Sequence, residues 1–287
     1  MSAIFFALIS YLGWGVGDIF GTMASRKIGG YSTTFWYLAF QLPLFGLFTP
    51  FFLENLKNLT PGLLIVNIVL GIIGTISLIT FFEGLRVGNA SMVGTIAASF
   101  AAVTVVLSAI FLKESITIHQ TIAILIIFLG LILSTLNFRE IRIGNSSGRL
   151  GIFLAVVTMI LWGVYYTFIK IPIREIGWFW PGVISLSSLI IVPLFMRWRK
   201  IKLNKPNKKG ALLPLIASAV LLGLGTFSFY YALDIGLTSI VTPIAGSYPT
   251  LFVVLAFLIF KDPIKRQQIA GIVTTLIGIV LLSLFSV

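Results

Sequence analysis

Ten apolar runs of about 20 residues dominate the chain, each long enough to cross a bilayer core at roughly 1.5 Å of rise per residue. They lie at roughly 3–24, 32–53, 61–85, 90–111, 118–137, 150–171, 180–197, 211–232, 238–260 and 264–286. One soluble core has no means of hiding that much apolar surface: 58% of the 287 residues are hydrophobic, 10% are charged and the mean hydropathy is +1.09. Lipid is therefore the expected solvent. Strands of a membrane barrel would alternate in polarity with period 2, whereas these runs are uniformly apolar and separated by turn residues, so they read as helices. The expected class is an all-α integral membrane protein with ten transmembrane helices. The first run lacks a basic leader and a small-residue cleavage site, and is expected to be a retained helix.

Charge placement narrows the function. The formal net charge of +12 would suit a nucleic-acid partner, but no basic face exceeds a single loop, so no nucleic acid is expected. Sixteen of the twenty Lys and Arg residues follow runs one, three, five, seven and nine, among them Arg26, Lys27, Arg86, Arg139, Arg142, Arg149, Lys261 and the cluster from Arg197 to Lys209. The positive-inside rule then places those loops in the cytoplasm and both termini outside a cell membrane, with the Arg197–Lys209 cluster as an anchor on anionic lipid. The chain has no cysteine, which excludes disulfides, thiolate metal sites and cysteine nucleophiles. His119 has no carboxylate or cysteine neighbour in sequence and makes a poor metal ligand. No Gly-rich phosphate loop with lysine is present, and no paired acids accompany a histidine. No metal, no cofactor and no enzymatic activity are expected, and energy for transport would come from an ion gradient or the substrate's own gradient.

A single gapless shift of 148 residues superposes the two halves. Trp14-Gly15-Val16 recurs as Trp162-Gly163-Val164, and Arg26, Ile28 and Gly29 as Arg174, Ile176 and Gly177. The same shift pairs Phe81 with Phe229, Gly88 with Gly236, Ser99 with Ser247, Lys113 with Lys261, Gln120 with Gln268 and Gly130 with Gly278. The expected division is a first five-helix repeat over 1–137, a cytoplasmic linker over 138–149 and a second repeat over 150–287. An odd number of crossings per unit makes the second enter the membrane from the opposite side, and such inverted repeats can pack in two near-equivalent ways, as alternating access requires. Fused repeats remove the need to dimerise, so a monomer is expected.

The second half carries Phe229-Tyr-Tyr-Ala-Leu-Asp-Ile-Gly-Leu-Thr-Ser-Ile-Val-Thr-Pro-Ile, then Tyr248-Pro249, Lys261-Asp262 and Gln268-Ile-Ala-Gly271; the first half carries Phe82-Glu-Gly-Leu-Arg-Val-Gly88, Ala90-Ser91 and Lys113-Glu114. These stretches resemble the EamA branch of the drug/metabolite transporter superfamily, over essentially the whole chain. The resemblance implies ten helices, a central cavity lined by helices one, three, four and their repeat mates, and export or uptake of small metabolites. The first half departs from the pattern by having Phe100-Ala101 where the second keeps Pro249, so the two halves are not expected to kink alike.

Polar residues stranded in hydrocarbon mark candidate site positions. Asp18, within Gly-Trp-Gly-Val-Gly-Asp-Ile-Phe-Gly, lies about 9 Å inside the end of the first helix. A carboxylate there costs roughly 2.5–3.5 kcal/mol and is expected to face protein or water. Trp14 sits one turn away, and an aromatic wall beside an acid suits an organic cation or zwitterion. Trp162 and Tyr166 are their repeat mates. Lys170, a turn further, is expected to snorkel to the interface. Glu83 is read as a surface ion pair with Arg86, or as an inward-facing acid because it aligns with Tyr231. Ser99, Tyr230, Tyr231, Ser247 and Tyr248 could line the cavity, or the tyrosines could belong to the interfacial aromatic belt. Gln41, Asn67 and Asn137 are read as amides that satisfy neighbouring backbone. Gly13, Gly17 and Gly21 form a stripe for close helix packing. None of the twenty basic residues lies in the central third of a helix, which disfavours phosphorylated cargo. The expected function is a secondary-active transporter of a small neutral, zwitterionic or cationic metabolite, such as an amino acid or amphiphile, possessing a small-molecule substrate and a coupling proton or cation. A lipid-linked sugar flippase or a sugar carrier is the alternative.

Overall fold

A computed structural model of the chain describes residues 2–135, 146–207, 210–260 and 265–286. The linker expected over 138–149 lies largely outside these residues, as do Asn137, Arg139, Arg142, Lys208, Lys209, Lys261 and Asp262. Among the described residues the structure is helical with no strand. The elements are α1 (Ser2–Ile28), α2 (Gly30–Gly46), a 3-10 segment (Thr49–Asn58), α3 (Pro61–Val87), α4 (Ala90–Ala98), α5 (Phe100–Phe111) and α6 (Ile118–Thr135). Then come α7 (Ser146–Phe168), α8 (Lys170–Ile176), α9 (Phe179–Ser185), a second 3-10 segment (Leu186–Ile190), α10 (Ile191–Trp198), α11 (Leu212–Ile235), α12 (Thr238–Ala245), α13 (Pro249–Phe260) and α14 (Arg266–Leu284).

Among the described residues eight stretches are long and apolar enough to cross a membrane, and a ninth is reached if α2 and the 3-10 segment after it count as one span. That pair is bent by 90°, so the second apolar run does not continue straight as its composition suggests. The fifth run forms a shorter apolar helix over Ile118–Ser134. The protein is a multi-pass membrane protein. Large apolar side chains such as Phe5, Leu125 and Leu129 are more than half exposed, as surfaces solvated by lipid require.

Glycine sets the closest contacts. α1 packs chiefly on α11, and a Cβ at Gly13 would lie 2.9 Å from the Gly225 Cα. Gly17 meets Leu222 of α11, while Gly21 meets the Phe82 ring of α3. α6 and α14 pair in the same way, with a Cβ at Gly278 reaching the Ile127 backbone nitrogen at 2.8 Å. Small residues let backbones approach where dispersion, not water exclusion, drives association.

Both halves break the helix in the fourth position at equivalent places, at Ser99 between α4 and α5 and at residues 246–248 between α12 and α13. Only the second has a proline there, so proline is not what the break needs. In the first half the Ser99 hydroxyl donates to the Thr95 carbonyl at 3.1 Å, and the Ala102 amide reaches back three residues to Ser99. The two breaks meet, since a Cβ on Gly246 would come within 2.9 Å of the Ala101 Cβ.

Lys170 does not snorkel. It is 4% exposed, and its ammonium donates to the Leu233 carbonyl and, at 2.8 Å, to the Gly236 carbonyl at the C-terminal end of α11. Those carbonyls have no helical partner and carry the negative end of the helix dipole, which holds a cation more cheaply than a trip to the interface. Across the same turn the Glu114 carboxylate accepts from the Thr238 and Ser239 amides at 2.9 and 2.8 Å, capping α12. Replacing Lys170 with Met should strand the carbonyls and destabilise the protein by about 1–3 kcal/mol. Thermal unfolding in detergent checks this; an unchanged midpoint would mean that the amine contributes nothing to the turn.

Candidate functional site

The helices with small residues on their inner faces leave a chain of voids between the halves, and aromatic side chains line it. The central void is bounded by Trp14 and Asp18 of α1, Tyr37 of α2, Phe81 and Phe82 of α3, Phe100 of α5, Trp162 and Tyr166 of α7, Thr226 of α11, and Tyr248. A larger chamber of about 80 Å³ adjoins it through the shared residues Tyr37, Leu78, Trp162, Tyr166 and Thr226, and adds Gln41, Thr75, Tyr165, Ser185, Phe227 and Tyr230. On the other side of Asp18 a narrow crevice runs between Leu85, Ala90, Gly94, Tyr248, Pro249 and Phe252. Among the described residues Asp18 is the one acidic side chain lining any of the three, and no basic one does.

The aromatic rings hold one another. Trp14 contacts Phe229, Tyr166, Tyr248 and Phe100 with centroids 5.1, 5.7, 5.9 and 6.3 Å away. Its indole N–H donates to the Thr226 hydroxyl at 3.2 Å, which fixes the ring plane. Trp162 packs on Phe81 and Phe100, mirroring Trp14 from the other half. Asp18 is 5% exposed. The Tyr248 hydroxyl is turned towards its carboxylate yet has no partner at hydrogen-bonding distance. An acid walled by ring faces can seat an ammonium by charge and by cation–π attraction together.

Of the positions singled out in the sequence, the structure brings Asp18, Trp14, Trp162, Tyr166 and Tyr248 into the central void and Tyr230 into the adjoining chamber. It does not bring Glu83, Ser99, Tyr231 or Ser247 to either. Glu83 is held by Arg86, at 2.5 Å to Nη2 and 3.0 Å to Nε, and accepts from the Gly30 amide at 3.2 Å. The Ser99 and Ser247 hydroxyls donate to carbonyls of their own helical turns, Thr95 and Pro243. Tyr231 faces Phe6 and Trp178 instead.

Sequence reasoning missed Tyr37, Tyr165, Thr226, Ser185 and the true place of Gln41. Gln41 was expected to satisfy neighbouring backbone, but its Nε2 is buried without a hydrogen-bond partner on the chamber wall. The usable signal was the alignment of amide and hydroxyl side chains with glycines on inner helical faces, as in Gly71-Ile-Ile-Gly-Thr75 of α3.

Comparison with known proteins decides the family. The EamA-like transporter family model matches the chain twice, over residues 1–136 and 149–284. The chain belongs to the EamA-like transporter family. An uncharacterized protein of Methanocaldococcus jannaschii is 31% identical over 134 residues, which make up 46% of this chain and 96% of that protein. An uncharacterized transporter of Archaeoglobus fulgidus is 26% identical over 218 residues, 73% of this chain and 74% of its own. A solved crystal structure superposes with a TM-score of 0.79 at 13% identity, covering 99% of this chain and 97% of its own, which shows the fold alone. The EamA two-repeat architecture thus accounts for the voids between two matched halves.

Because the Glu83–Arg86 pair is partly exposed and lies outside the voids, Glu83→Gln should shift stability by less than about 1 kcal/mol and leave cargo affinity within about threefold. Transport kinetics in proteoliposomes check it; a loss beyond about tenfold would put Glu83 on the cargo path.

Proposed function

We propose that this EamA-family protein is a secondary-active transporter that carries a small cationic, zwitterionic or neutral metabolite, of amino-acid or small-amphiphile type, by alternating access through the aromatic chamber. The observation that carries the reading is Asp18: a buried carboxylate, alone in charge among the lining residues, set in a box of ring faces between the two matched halves. At hydrocarbon depth such an acid costs free energy unless a proton, a metal cation or a cationic cargo answers it.

The reading has three linked parts. Asp18 binds the coupling cation or the ammonium of the cargo, and exchange of one for the other couples transport to a gradient. The two halves cross the bilayer in opposite senses as five-helix repeats, ten crossings in all, joined through a linker on the cytoplasmic side with both termini outside. Rocking of the halves about the crossing of α4–α5 with α12–α13 then exposes the chamber to each side in turn. Support for the last part comes from the two breaks, which meet at Gly246 and Ala101 and interrupt both helices where they cross.

Asp18→Asn keeps the shape of the side chain and removes its charge. It should abolish gradient-driven uptake into proteoliposomes, by at least about a hundredfold, while the variant still purifies as a folded monodisperse protein. Wild-type rates in that variant would remove Asp18 from the mechanism.

A further inference from the structure

The larger chamber holds hydrogen-bond donors that the fold leaves unused. Gln41 is 5% exposed and its Nε2 has no partner, although a buried donor left unmatched costs free energy. The Ser185 hydroxyl, also on the chamber wall, is buried beside the Tyr165 hydroxyl and has no partner at hydrogen-bonding distance. Beside them the Tyr165 and Tyr230 hydroxyls hydrogen-bond each other, so that one of the two keeps a proton not used in that bond. The Gln41 and Ser185 side chains are turned towards the Tyr37 and Tyr165 hydroxyls, yet neither closes a hydrogen bond at bonding distance, and both border the chamber.

That space adjoins the Asp18 void, five residues lining both, so an elongated molecule is the shape that would reach from one to the other. Charge then selects its class. With Asp18 as the single carboxylate and no Lys or Arg among the described lining residues, a zwitterion would bury its own carboxylate without a counter-charge. A cation whose far end is a neutral acceptor leaves no charge over and gives the idle donors a partner.

We propose that Gln41 and Ser185 form a second recognition point, and that the cargo is an organic monocation with its ammonium at Asp18, an apolar or aromatic body between the ring faces, and a neutral hydrogen-bond acceptor such as an amide, ester or ketone at Gln41 and Ser185. This rests on the assignment of Asp18 as the cation seat and narrows the cargo from the wider range given above. Amino acids in their zwitterionic form are then poor cargo, and amines derived from them by amidation or esterification are good ones.

The test uses purified full-length protein in detergent, slightly below neutral pH, with binding read from intrinsic fluorescence, since Trp14 and Trp162 line the void. Three probes of similar body are titrated: phenethylamine, phenylalaninamide and phenylalanine. The amide should bind about tenfold tighter than phenethylamine, and phenylalanine weakest of the three. In Gln41→Leu the ratio of the amide to the phenethylamine dissociation constant should approach one. Ser185→Ala, a smaller change that keeps the question answerable if Gln41→Leu fails to fold, should reduce the ratio in the same direction. Asp18→Asn should remove binding of both amines. If both amines bind and need Asp18, yet the ratio is the same in the wild type and both variants, or phenylalanine binds tighter than its amide, the second recognition point is overturned and the cation seat stands. If neither amine binds the wild type, or Asp18→Asn binds them unchanged, the cation seat itself fails.

Discussion

A chain immersed in hydrocarbon has no water to answer its polar groups, and each interruption of a helix must be completed by another part of the protein. The turn between α11 and α12 follows from that constraint. Lys170 answers the last carbonyls of one helix and Glu114 the first amides of the next, so two oppositely charged groups from distant segments hold a turn that would otherwise be unsatisfied at both ends. Hydroxyls do the same on a smaller scale: Thr22, Thr33, Thr34 and Thr167 each bond a carbonyl one turn back in their own helices. Against that background Gln41 Nε2 and Tyr248 Oη, both unanswered, stand beside the voids.

The voids are a by-product of how the helices are brought together. Glycines let α1 approach α11 and α6 approach α14, and this close packing along one face of α1 is combined with a bulky ring on the adjoining face, where Trp14 lies against Gly225. Rings of that size cannot interdigitate with each other as aliphatic side chains do, and they meet tilted or edge to face with centroids 5–6 Å apart. Space persists between them without a strained backbone.

Much of this was legible in the sequence, for a physical reason in each case. The apolar runs declare their solvent, and a carboxylate between Gly17 and Ile19 is too costly in lipid to be incidental, so Asp18 and its neighbour Trp14 were found at once. The repeat mates Trp162 and Tyr166 followed from the shift of 148 residues. The 90° bend after Gly46 was not legible, because Leu47-Phe48 and Phe51-Phe52 are as apolar as a spanning helix and the segment turns only to lay its rings on Ile176 and Phe179. Lys170 was misjudged because a lysine near a helix end usually reaches the interface, and only the tertiary packing of α7 and α8 reveals the α11 carbonyls above it. Gln41 was undervalued because an amide's role depends on whether a partner is present, which no local pattern encodes.

The bent segment after α2 has a counterpart at the opposite end of the molecule, and the two are fastened by different chemistry. Over the first, Phe45, Phe227, Phe179 and Phe52 form a continuous stack from the chamber wall to the surface, with the Trp180 indole tied to the Phe52 carbonyl at 2.7 Å. At the second, Asn204 donates to the Ile28 carbonyl and the Ser32 hydroxyl and accepts from the Trp36 indole, all within about 3.1 Å. Parting the aromatic seal would wet apolar area and carry a positive heat-capacity change, whereas parting the amide clasp exchanges polar contacts for water with a change of the opposite sign. Warmth and cold therefore act unequally on these two fastenings, although the shift of 148 residues places them at equivalent positions of the two halves.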